Sequence, residues 1–245
     1  MATFVLVPGF WLGAWAWQDV ARELTAAGHD AHPVTLTGLA ERAAEATPQV
    51  NLDTHIADVV RIVHGRGLRD VVLVAHSGAN MPVVGAADRL VGLVGRIVYV
   101  DTGPMPSGLA SIDFHDPQAQ QRIRDQVAEQ GDGWLLPVPP FDAAADPVNL
   151  AGLTEPQLEL LRTRGTPQPF GPVVQPLERP DPLPAVAGSM IATTFSPDQV
   201  RALAAGGNPI FAQMTALDVH HLPTGHWPMF SRPAELADLL ATIAS

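Results

Sequence analysis

The sequence predicts an α/β fold: a mostly parallel central sheet flanked by helices, with an inserted lid. Three observations carry that expectation. Through residues 1–102, short continuous apolar runs alternate with amphipathic stretches, the pattern of strands buried on both faces by crossover helices. The same alternation returns from 186 to 245. Between 103 and 185 it gives way to proline-rich segments with few β-branched runs. At 245 residues and 47% hydrophobic composition the chain can bury one sizeable core. We therefore read a single domain, with residues 1–102 and 186–245 as the core and 103–185 as the lid.

The elements follow in order. Thr3 to Val7 is a short apolar run, read as a strand buried on both faces. A helix is expected from Ala14 to Ala27, closed by Gly28 in the C-terminal cap position. His32 to Leu36 is expected as the next strand, ending in the Thr37-Gly38 turn. Asp53 to Val63 places Ile56, Val59, Val60 and Val63 at helical spacing. Strands are predicted at Asp70–Ala75 and Arg96–Val100. In the insertion, helices are predicted over about 117–130 and 154–164, and Phe114, Trp134, Leu135, Leu136, Phe141 and Phe170 argue against a merely solvated linker. A strand Met190–Thr194, a helix from Pro197, a strand near Leu217–Leu222 and a last helix from about Ala234 complete the reading.

Composition excludes several functions. The formal net charge is −11, which argues against a nucleic-acid partner, because phosphate binding needs clustered cations. There is no cysteine, so disulfides, thiolate metal sites and cysteine nucleophiles are excluded. His220 and His221 are adjacent and lack a convincing carboxylate partner, so no metal is expected. No Gly-rich phosphate loop of the usual spacing is present, and no cofactor is expected. No apolar run approaches a membrane span of roughly 18 residues, and Met1 leads straight into a strand-like run with no basic leader. The expectation is a cytoplasmic protein that takes a small-molecule substrate, with a homodimer left open.

The chemistry-bearing motifs fall at the ends of strands. The strand through Val74 runs into Ala75-His76-Ser77-Gly78-Ala79, and a helix-compatible segment begins at once. This is the G-x-S-x-G nucleophile elbow with alanine at both outer positions. A sharp strand-to-helix turn exposes the serine hydroxyl, small residues are needed where the backbones crowd, and the helix N-terminus favours developing negative charge. Near the end of the chain, Leu222-Pro223-Thr224-Gly225-His226-Trp227 places His226 on a loop between the last strand and the last helix, where a general base has to arrive. After the first strand, Pro8-Gly9-Phe10-Trp11-Leu12-Gly13 can offer the Phe10 N–H opposite that of Gly78 as an oxyanion hole. Each motif alone also fits an ordinary turn; their order and placement join them.

Three segments resemble the α/β-hydrolase superfamily, more narrowly the branch of plant methylesterases, hydroxynitrile lyases and many small bacterial esterases. They are Val7 to Trp15, Val74 to Ala79, and Gly225-His226-Trp227 followed by Ser231 to Leu236. The resemblance covers the chain outside the lid and implies an α/β-hydrolase fold with Ser77 as nucleophile and His226 as base. Pro8-Gly9 departs from the usual His-Gly. The lyase members carry a lysine directly after the catalytic histidine; here that place is Trp227 and the chain has no lysine, which argues against cyanohydrin cleavage.

A Ser–His pair needs a carboxylate to fix the imidazole tautomer. The superfamily usually carries it after the strand that follows the lid, where Asp198 stands; some members place it where Asp101 ends the strand through Val100. Asp198 also reads as a first-turn acid behind Ser196 and Pro197, and Asp101 also reads as a turn former. Asp101 is placed first, with Asp198 as the alternative. Trp11, Trp134, Phe141 and Trp227 are expected to line the substrate site. The leading expectation is hydrolysis of an ester, thioester or lactone of a mainly apolar or aromatic small molecule. A lyase or cyclase using the same pair as acid and base, and a non-catalytic small-molecule binder, are the alternatives.

Overall fold

A computed structural model describes residues 1–245, the side chain of Pro209 apart. In chain order the core begins β1 (Thr3–Val7), α1 (Gln18–Ala26), β2 (Asp30–Pro33), α2 (Leu52–Gly65), β3 (Val71–His76), α3 (Asn80–Arg89) and β4 (Val94–Val100). Residues 103–185 hold α4 (Pro117–Gln130), β5 (Leu135–Leu136), α5 (Glu155–Arg164), β6 (Gln168–Pro169) and α6 (Gly171–Val174). The core resumes with β7 (Ala187–Ala192), α7 (Pro197–Ala205), α8 (Pro209–Ala212), β8 (Asp218–His221), α9 (Pro228–Ser231) and α10 (Pro233–Ile243).

Six strands form one sheet in the order β2-β1-β3-β4-β7-β8, every neighbouring pair parallel. The period of two along each strand divides its side chains between two faces. Phe4 and Leu6 of β1, Val72 and Val74 of β3, and Val98 and Val100 of β4 pack with Trp17, with Val20 and Leu24 of α1 and with Leu236 and Leu240 of α10. Val5, Val7, Val71, Leu73, Ala75, Ile97 and Tyr99 face the other way, onto Ile56, Val59 and Val63 of α2 and Val83 and Val84 of α3. Each fully buried aliphatic side chain in these layers contributes about 1.5–3 kcal/mol. The continuous apolar runs are thus strands covered on both faces.

The structure shifts several predicted boundaries: α1 begins at Gln18 rather than Ala14 and β4 at Val94 rather than Arg96. β2 starts and ends earlier than His32–Leu36, because its register is set by β1: Thr3 pairs with Asp30 and Leu6 with Pro33. Past Pro33 the N–H of Val34 still donates to Leu6 O, and β1 then ends at Val7. β7 begins at Ala187 rather than Met190, since Ala187 and Gly188 pair with Arg96 and Ile97 of β4. α2 is longer than expected and is capped by Asn51, whose side chain accepts from Thr54 N–H.

Residues 103–185 do not stand apart from the core. Phe141, Leu150, Leu158 and Leu161 belong to the same apolar cluster as Phe4 and Leu6. β5 and β6 make a separate antiparallel pair. Backbone hydrogen bonds from Thr166 N to Trp11 O and from His226 N to Asn149 O tie the segment to two of the loops at the carboxyl end of the sheet.

Candidate active site

β3 carries the chain straight from Ala75-His76 into Ser77, and α3 starts three residues later. Ser77 has φ +51, a conformation that few side chains adopt and that a tight elbow imposes. Four of the seven non-glycine residues with positive φ, Trp11, Ser77, Asp101 and Phe141, surround this point. Ala75 and Ala79 are buried at the crowded outer positions of the elbow.

His226 arrives on the loop after β8 with both ring nitrogens engaged. Its Nε2 lies 2.8 Å from Ser77 Oγ, and its Nδ1 lies 2.7 Å from Asp101 Oδ2. Asp101 stands one residue past β4, with its own N–H donating to Ile191 O at 2.8 Å. Asp101 Oδ1 accepts from the backbone N–H groups of Thr193 and Thr194, each at 3.0 Å, and the Thr194 hydroxyl donates as well. Burial works against the charge on this carboxylate. The hydrogen bond and charge of His226, with the two threonine amides, outweigh burial and hold the group well below the usual carboxylate range.

The alternative acid lies elsewhere. Asp198 is in the first turn of α7, its side chain 92% exposed and paired with Arg201. It follows the Ser196 cap as a first-turn acid, and the carboxylate that meets His226 is that of Asp101. His220 and His221 lie in β8, outside this chain of hydrogen bonds.

The oxyanion loop approaches the elbow closely. A methyl group at Gly9 would come within 2.9 Å of Ser77 Cβ, 3.0 Å of His76 Nδ1 and 3.1 Å of His76 O. The Phe10 ring fills the space a side chain at Gly78 would need. Among the described residues Phe10 N–H has no hydrogen-bond partner, and Gly78 N–H lies at a helix start, where amides lack intrahelical acceptors. Both donors the sequence singled out therefore lie beside Ser77.

His76 is a part of the site that the sequence reading passed over. Its Nε2 donates to His226 O at 2.7 Å, and its Nδ1 accepts from Gly9 N–H at 3.4 Å. That pattern requires the neutral ring. Burial first, and the nearby His226 second, push its pKa down to about 3. One uncharged imidazole thus ties the oxyanion loop to the histidine loop. The signal available in the sequence was its position directly before the nucleophile.

Of the expected aromatic residues, Trp11, Phe141 and Trp227 gather on one side of Ser77. The Trp227 ring packs edge-on to His226 with centroids 4.9 Å apart, and Phe141 meets Trp227 at 5.4 Å and Trp11 at 6.4 Å. Trp11 is fixed by its indole N–H, which donates to Leu136 O. Trp134 is not with them: it follows the Asp132-Gly133 turn, and its carbonyl accepts from Phe170 N–H. That turn sends the chain into β5, and Trp134 lines neither of the two cavities that reach Ser77. Among the described residues no group of three or more His, Cys, Asp or Glu is placed to hold a metal, and no helix is long and apolar enough to cross a membrane.

An all-parallel sheet with a serine elbow, a histidine loop and a carboxylate strand at its carboxyl edge defines a class of hydrolytic enzymes. The sequence profile of the alpha/beta hydrolase family matches residues 4–239, and the chain belongs to that family as a serine hydrolase of its fold. The chain is 32% identical to a carbendazim-hydrolyzing esterase of Nocardioides sp. (strain SG-4G), over 99% of this chain and 100% of the relative. It is 31% identical to Methylesterase 7 of Arabidopsis thaliana, over 51% of this chain and 48% of the relative. Among solved structures, an extracellular alpha/beta-hydrolase from a Paenibacillus species superposes with a TM-score of 0.80 at 17% identity, covering 99% of this chain and 98% of that one.

Proposed function

We propose that the protein hydrolyses carboxylic esters of mainly apolar or aromatic small molecules through an acyl-enzyme on Ser77. The observation that carries this reading is the unbroken line Asp101–His226–Ser77, at 2.7 and 2.8 Å. Asp101 accepts from Nδ1–H, which leaves Nε2 unprotonated and aimed at the serine hydroxyl. As Ser77 Oγ attacks the carbonyl carbon, Nε2 takes its proton and Asp101 stabilises the resulting imidazolium. The carbonyl oxygen gains negative charge opposite the Phe10 and Gly78 N–H groups. Collapse breaks the bond to the alcohol oxygen, which leaves with the proton held on Nε2. Water, deprotonated by the same nitrogen, then releases the acid and restores Ser77.

Residues 103–185 act in this reading as a lid that supplies Phe141 and the neighbouring prolines to the site wall. The kinship with a named esterase along the full length supports ester hydrolysis. The experiment is hydrolysis of p-nitrophenyl esters from acetate to octanoate by the parent and by Ser77→Ala. Turnover that disappears in the variant is the expected result. A folded parent that turns over no ester, or a Ser77→Ala variant that keeps its rate, would overturn the reading.

A further inference from the structure

Two cavities meet at Ser77, and they differ in which catalytic group they reach. The first, of about 360 Å³, is walled by Phe114, Phe195, Val200 and Leu203 of α7, Phe211 of α8 and Met214. The second, of about 490 Å³, is walled by Trp11, Pro139, Phe141, Leu150 and Trp227. Both volumes lie in the range of small-molecule pockets. Phe10, Ser77 and His115 border both. The Phe10 ring, seated over Gly78, stands with Ser77 between them.

His226 lines the second cavity and not the first, whereas Gly78 lines the first and not the second. That asymmetry gives the site a direction. In acylation the carbonyl carbon bonds to Ser77 Oγ, and the bond that breaks is the one to the alcohol oxygen. That oxygen must collect from Nε2 the proton taken from Ser77, so it has to leave on the side where Nε2 is exposed.

We propose that the two cavities are separate subsites, the first, beside Gly78, taking the acyl chain and the second, beside His226, taking the alcohol, so that the substrate is an ester with a sizeable apolar group on each side of the carbonyl. This deepens the ester-hydrolase reading and rests on it. Asp142 and Asp146 also border the second cavity, so the alcohol portion is neutral or cationic rather than anionic. Leu203 and Met214 set acyl length, and Ala145, on the wall of the second cavity, sets the alcohol.

The two subsites are separable by kinetics, because the alcohol has already gone when deacylation begins. Whatever touches only the alcohol alters acylation alone; whatever touches the acyl chain alters both steps. The probes are p-nitrophenyl esters from acetate to octanoate, and acetates of methanol, benzyl alcohol and 2-naphthol, followed by burst and steady-state rates. Leu203→Trp is expected to lower kcat/KM for octanoate about tenfold relative to acetate and to slow octanoyl deacylation. Met214→Ala, which widens the same cavity, is expected to shift the preference toward longer acyl chains. Ala145→Trp is expected to lower acylation by 2-naphthyl acetate about tenfold relative to methyl acetate, with acetyl deacylation at the parental rate. The reverse pattern, or no change in either selectivity while hydrolysis still depends on Ser77, would overturn the subsite assignment alone. Loss of Ser77 dependence in the parent would instead sink the ester-hydrolase reading beneath it.

Discussion

Replacing Asp101 by asparagine tests the electrostatic design of the site, and the structure sets the size of the effect. Asp101 Oδ1 faces two backbone N–H groups, at 3.0 Å each, which can only donate. In Asp101→Asn the amide oxygen must therefore keep that position, and the NH2 group turns toward His226 Nδ1, now 2.7 Å from Asp101 Oδ2. Two donors cannot face each other there, so the imidazole shifts its proton to Nε2. That nitrogen then points an N–H at Ser77 and can no longer accept the serine proton. The variant also loses the charge that stabilises the imidazolium, a charge-assisted hydrogen bond of about 1.5–3 kcal/mol. Together these losses lower kcat by roughly 10³- to 10⁴-fold, or about 4–5.5 kcal/mol in the barrier. The assay is p-nitrophenyl acetate turnover, with Asp198→Asn beside it. Asp198 is exposed and bound to Arg201, and its variant stays within about twofold of the parent. An Asp101→Asn enzyme within about tenfold of parental kcat, or an equal loss in Asp198→Asn, would refute the reasoning.

Three further outcomes follow from the same contacts. His76 is buried neutral with its pKa pushed from 6.5 down to about 3, so its contribution is fully present above pH 6.5 and is lost as pH falls toward 3. Each unit in that window removes about 1.4 kcal/mol, or about 2 kcal/mol by roughly pH 5. Urea denaturation at stepped pH measures this, and the buried His55, also shifted down by burial, adds in the same direction. His76→Gln flattens the slope; an unchanged slope would show that the ring is not the source. Gly9→Ala forces a methyl group to within 2.9 Å of Ser77 Cβ, and it is expected to cut kcat about tenfold or more while the circular dichroism spectrum stays parental; a parental kcat would mean that the loop approach is loose. Asp88 and Arg179 form a two-pronged ion pair at 2.8 and 2.9 Å, with side chains 7% and 9% exposed. Asp88→Ala strands the guanidinium and should cost about 3 kcal/mol in a denaturant titration, a loss below about 1 kcal/mol speaking against a desolvated pair.

Legibility in the sequence followed burial. β1 could be read to the residue, and β3 within one at each end, because both faces are covered and the apolar run has nowhere else to go. β2, β4 and β7 were misplaced at their starts, because their limits depend on pairing with another strand, and Ala187-Gly188-Ser189 carries no strand signal of its own. Ser77, His226 and the two oxyanion amides were named from motifs whose chemistry dictates their spacing. Asp101 was placed ahead of Asp198 there, with the alternative kept because both follow strands at the same edge of the sheet. The structure separates them: the Thr193 and Thr194 amides hold the Asp101 carboxylate against His226 Nδ1, whereas Asp198 is exposed and paired with Arg201. The cavity beside Gly78 was missed for a related reason. Much of its wall comes from α7, α8 and the turn after α8, where Val200, Leu203 and Met214 look like ordinary core residues, whereas the expected walls were Trp11, Trp134, Phe141 and Trp227. Trp134 was included because a tryptophan in residues 103–185 suggested a site wall, and the turn at Asp132-Gly133 carries it elsewhere.

The central claim is that Ser77 becomes covalently acylated because His226 and Asp101 make it nucleophilic. The most direct measurement is mass spectrometry of the protein quenched during turnover of a p-nitrophenyl ester, with peptide mapping of the adduct. The account predicts one acyl group on the peptide that contains Ser77, formed at the rate of the p-nitrophenol burst and absent from Ser77→Ala. Turnover with no adduct at any time, or an acyl group on another residue that turns over at the catalytic rate, would contradict it.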